Sequence, residues 1–156
     1  MKTKEIIWFF TTIAMVTIIN FYFLGLDSLD ANATLDINIH DTYFVISSIN
    51  FFVLFAVLLF FLVYTIRMIV FKYENITINS IAILSNIALS IVCIYVMCII
   101  SLFGKGENHI SEANDPVGDA MHVLFCMLLI FQILLLLFLA YSGFRTGITH
   151  NKKRGL

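Results

Sequence analysis

The sequence predicts an all-α integral membrane protein whose four transmembrane helices form one antiparallel bundle. Three observations carry that prediction. The 156 residues are 61% hydrophobic and only 12% charged, with a mean hydropathy of +1.00, whereas a soluble domain carries about 25% charged residues. Four long stretches hold no charge at pH 7: Ile6–Leu26, Thr42–Ile66, Asn75–Gly104 and Ala120–Phe144. The cations between them collect on one side.

A helix rises about 1.5 Å per residue, so about 20 apolar residues cross a hydrocarbon core of about 30 Å. Each stretch is long enough. Apolar helices of a soluble bundle would keep a polar face for water, and these runs have almost none. The spans are expected near residues 5–26, 42–71, 77–103 and 118–144, in a single four-helix domain over residues 1–156.

The first run follows the basic flank MKTKE, which a secretory signal would also have. It is longer than a signal core of about 7–15 residues, and it holds Trp8, Asn20 and Tyr22 with no small-x-small cleavage site before Asp27. It reads as a mature helix. The second run starts behind His40-Asp41. Asp and Thr accept from the free N–H groups of a helix start, and negative charge there suits the helix dipole. Asp41-Thr42 therefore reads as an N-cap, with Tyr43 as an interfacial anchor. At the far end Arg67 is expected at the inner interface, its head snorkelling to the headgroups while the helix continues through Phe71.

In the third run Asn79, Ser85, Asn86 and Ser90 mark one side. Such groups hydrogen-bond between membrane helices, each contributing about 0.6 kcal/mol. The fourth run contains Gln132 as its main polar residue. No span has a charged group in mid-membrane, where a substrate pathway would place one, so a pump or transporter fits poorly. Cys93, Cys98 and Cys126 all fall in spans, and their spacing is neither a metal pair nor a redox CxxC. They are expected to be buried as small hydrophobes.

Eight of the nine Lys/Arg lie before the first span, between the second and third, or after the fourth; Lys105 alone lies opposite. The positive-inside rule then predicts a multi-pass protein of the cell inner membrane with both termini cytoplasmic. Eight of the ten acids lie in the two outer loops.

The outer segment ANATLDINIHDTYFVISSINFF, residues 31–52, resembles the approach to the tenth helix of heme-copper oxidase subunit I, the catalytic subunit of cytochrome c oxidases. The shared pieces are Ala31-Asn32, Leu35-Asp36-Ile37 and His40-Asp41-Thr42-Tyr43, then an aromatic residue and Val45. The order and sense of the four spans are similar to the family's last four helices. SEANDPVGDAMHVL is similar to the acidic, Pro-containing loop before its last helix.

The resemblance implies that Asp36 approaches a heme propionate and that His40 and Asp41 correspond to magnesium ligands. It also exposes a loss. The family's motif AHFH supplies two heme-ligating histidines, and the aligned positions here are Ser48 and Asn50, neither a good axial ligand. They should lie one to two turns below the outer surface, with Ser48 bonded to a carbonyl one turn earlier and Asn50 reaching another helix. The copper ligands belong to helices this chain lacks.

The expected function is thus non-catalytic: an accessory, assembly or packing element of a membrane, respiratory complex. The lipid bilayer and other membrane proteins are the expected partners, with no nucleic acid and no cofactor. Two alternatives stand beside it. His40 and His122 could hold a heme in a redox subunit. His40 and Asp41, with His109, Glu112, Asp115 and Asp119, could hold a divalent cation such as magnesium at the outer rim.

Overall fold

The computed structural model describes residues 3–30, 32–39, 42–103 and 116–154. Four helices dominate: α1 (Thr3–Leu24), α2 (Ser48–Val70), α3 (Ile76–Phe103) and α4 (Pro116–Arg154). All four are long and apolar enough to cross a membrane. The all-α class is as the sequence predicts. The chain divides into two compact units, Met1–Ser85 and Asn86–Leu156, with α3 running through both.

Two boundaries differ from expectation, the start of the second helix and the end of the fourth. Residues 42–47, expected as the first turn and a half of the second span, are strand. They form β2 (Thr42–Ser47), which pairs antiparallel with β1 (Thr34–Ile39) in a register running from Thr34 opposite Ser47 to Ile39 opposite Thr42. The reason is local. Thr34-Leu-Asp-Ile-Asn-Ile alternates polar and apolar residues, and Thr42–Ser47 is rich in β-branched and aromatic side chains. The helix begins at Ser48, so the Asp41-Thr42 cap does not form part of α2. Nor does the side chain of the actual N-cap, Ser47, make a capping bond. Instead the Ser48 N–H donates to the Ala33 carbonyl at 2.9 Å, so the chain leading into β1 satisfies one of the free donors of the helix start. The 23 residues of α2 still span about 34 Å.

In the first unit α1 and α2 run antiparallel. Phe9 meets Phe60 edge to face at 5.6 Å, and Phe21 meets Phe52 at 6.0 Å. Such pairs each add about 0.5–1.5 kcal/mol beyond area burial. Helix α1 ends at Gly25, whose φ of 79° is the left-handed conformation of a helix C-terminus and whose N–H donates to the Phe21 carbonyl. The end of α2 takes the same route without glycine. Lys72 and Tyr73 have φ of 48° and 64°, and their N–H groups donate to Ile69 and Met68 carbonyls, a Schellman closure. Fully buried Asn79 holds this turn by donating from Nδ2 to the Tyr73 carbonyl at 2.9 Å.

In the second unit α3 and α4 meet along a narrow seam. The buried residues of this unit are Asn86, Leu89, Ser90, Cys93 and Ile100 on α3 and Gln132, Leu135 and Ser142 on α4. Their steps of three, four and seven, 86–89–93–100 and 132–135–142, put them on one face of each helix. Asn86 Nδ2 donates to the Leu135 carbonyl and the Cys93 thiol to that of Leu128, so the two helices are antiparallel here. As expected, Asn79, Ser85, Asn86 and Ser90 are all buried. The expected burial of the thiols holds for Cys93 only, because Cys98 and Cys126 lie on exposed faces. Helix α4 runs ten residues beyond the expected boundary at Phe144. The loss of apolar character at Arg145 ends a span, but it does not end a helix.

Candidate functional site

Among the described residues an ion pair and a polar partner come together where α1 begins, α2 ends and α3 begins. Arithmetic explains the location. Two antiparallel helices joined near residues 25–47 bring the start of the first to the end of the second. Glu5 there accepts from Arg67 Nη2 on Oε2 at 2.9 Å and from Asn75 Nδ2 on Oε1 at 3.0 Å. The Arg67 and Glu5 side chains are only 13% and 11% exposed. Asn75 has a second task, since its Oδ1 accepts from the Thr77 N–H and caps α3.

Aromatic rings complete the setting. The guanidinium carbon of Arg67 lies 4.9 Å from the centre of the Trp8 ring, 5.4 Å from Tyr64 and 5.9 Å from Phe71. Desolvated contacts of this kind reach about 2 kcal/mol. Arg67 Nη1 and the Tyr64 hydroxyl are buried with no hydrogen-bond partner among the described residues. Beside the cluster is a groove of about 350 Å³ lined by Trp8, Val63, Ile66, Arg67 and Phe71. The head of Arg67 is held by Glu5 and by ring faces.

Of the residues singled out for oxidase-like chemistry, the described ones are elsewhere. Asp36 is exposed on β1, opposite Val45 on the same exposed face of the hairpin. His40 and Asp41 lie outside the described residues, as do His109, Glu112 and Asp115. Asp119, in the first turn of α4, and His122 are exposed; His122 Nδ1 is 3.9 Å from the Cys126 thiol one turn on. Among the described residues no three His, Cys, Asp or Glu side chains gather as a metal would require.

No family model, curated protein or solved structure matches the chain. The geometry of its own residues therefore carries the functional reading.

Ser48 and Asn50 are corrected in one respect and kept in another. They are the first and third residues of α2, so no helical turn precedes Ser48 to offer it a carbonyl. Asn50 is exposed, whereas Ser48 is buried. They do diverge, as residues two apart on a helix must, by about 200°.

Sequence reading missed Glu5 and Asn75. In the sequence Glu5 sits within a basic flank, and Asn75 opens an apolar run. The usable signal was an acid and a cation each one helix length from a shared connection.

Proposed function

We propose that this chain is a non-catalytic, multi-pass protein of the cell inner membrane that acts by packing against other membrane proteins. Its termini face the cytoplasm, and its place is as an accessory or assembly element of a respiratory complex. The observation that carries the reading is α4. Its 39 residues bury one narrow seam, and large apolar side chains such as Leu124, Ile130, Leu134 and Leu137 remain exposed. Such a surface is suited to lipid and to the helices of a neighbour. The respiratory setting is supported by the resemblance of residues 31–52 to oxidase subunit I, and a non-catalytic role by Ser48 and Asn50 standing where that family has histidines.

The test is photo-crosslinking in native membranes from Leu134 and Leu137, followed by an absorption spectrum of the detergent-purified protein. Cross-links to subunits of a heme-copper oxidase and no stoichiometric Soret band are expected. Stoichiometric heme would replace this reading by a redox subunit, and cross-links only to unrelated proteins would remove the respiratory setting.

A further inference from the structure

We propose that the groove beside the Glu5–Arg67 pair binds an anionic phospholipid, with the phosphate at Arg67 and an acyl chain along Trp8, Val63 and Ile66. This rests on the membrane reading above, which puts this end of the helices at the cytoplasmic leaflet. The groove is open along one side and has a volume of about 350 Å³. Its walls are apolar side chains with one guanidinium among them, the pattern of a chain with a charged head.

Charge supports the anion. Glu5 and Arg67, with Lys4, Lys72 and Glu74 near them in sequence, carry three positive and two negative charges. Glu5 occupies Nη2 of Arg67, while Nη1 is buried beside Tyr64 with no acceptor in good hydrogen-bond geometry. Leaving a charged donor unmade is costly, and Arg is built to bind phosphate through more than one N–H. Three rings lie against the guanidinium, but Trp8 is 52% exposed, so rotation of its side chain would admit a phosphate oxygen. A free phosphate would meet the same donor but leave the apolar walls uncovered, so a lipid is favoured. Basic pockets between helices on the cytoplasmic side recognise anionic headgroups in this way.

Trp8 is the chain's single tryptophan, so its fluorescence reports the groove directly. The full chain is reconstituted in phosphatidylcholine vesicles containing a low, equal fraction of brominated phosphatidylglycerol or brominated phosphatidylcholine. The brominated anionic lipid should quench Trp8 with about a five-fold preference, the effect of one cation near the surface. Unlabelled phosphatidylglycerol should reverse it, and inorganic phosphate should not. The double variant Glu5→Gln with Arg67→Gln, and separately Val63→Phe, which fills the groove and alters no charge, should abolish the preference. Equal quenching by the two lipids, a preference surviving both variants, or reversal by inorganic phosphate would overturn the site. Quenching by neither lipid would instead overturn the membrane placement of Trp8.

Discussion

Glu5 and Arg67, 62 residues apart in sequence, meet at 2.9 Å with both side chains nearly excluded from solvent. The pair joins the first turn of α1 to the last turn of α2, and Asn75 extends it to the cap of α3. Removing one member of a buried pair strands the other, which costs about 3–5 kcal/mol, whereas removing both is far milder.

Glu5→Gln and Arg67→Gln should therefore each destabilise the protein by about 3 kcal/mol, and the double variant by clearly less than their sum. Reversible unfolding in mixed micelles measures the cycle. Additive losses would mean that the two side chains do not act as a unit.

Lys72 occupies a left-handed conformation at the position where helices prefer glycine. Lys72→Gly should raise stability by up to about 1 kcal/mol, relief of backbone strain exceeding the added freedom of the unfolded chain. A lower melting temperature for this variant would show that the lysine charge outweighs the turn.

The α3–α4 seam offers an internal contrast. Asn86 is buried and bonded to the Leu135 carbonyl, whereas Gln132 is buried with Oε1 unpaired among the described residues. Asn86→Leu should destabilise by about 0.6–1.7 kcal/mol. Gln132→Leu should be neutral or stabilising, because it removes an unmet acceptor. Equal losses from the two would argue that packing volume alone governs the seam.

Topology is checked by reporter fusions. Those at Asn32 and Asn108 should read as external, and those at Asn75 and the C-terminus as internal, following the cation distribution. An external C-terminus would reverse the assignment and put the Arg67 groove in the opposite leaflet.

The four helices were legible because a charge-free run of more than 20 residues leaves few alternatives. The start of α2 was not, because freedom from charge does not separate strand from helix. The distinguishing signal was the alternation in Thr34–Ile39 and the β-branched content of Thr42–Ser47. The Glu5 cluster was obscured for another reason. Acids count little toward orientation, so Glu5 looked incidental until the helices placed it beside Arg67. The far end of α4 was missed because hydropathy marks where lipid ends and says nothing of where backbone hydrogen bonding stops.

The bond from the Ser48 N–H to the Ala33 carbonyl ties the entry of the hairpin to the first turn of α2. No slack linker intervenes between β2 and the helix, and the helix is clamped at its other end through Arg67. Force applied to the hairpin would therefore load α2 and, at its other end, the Glu5 clamp, as through a pushrod.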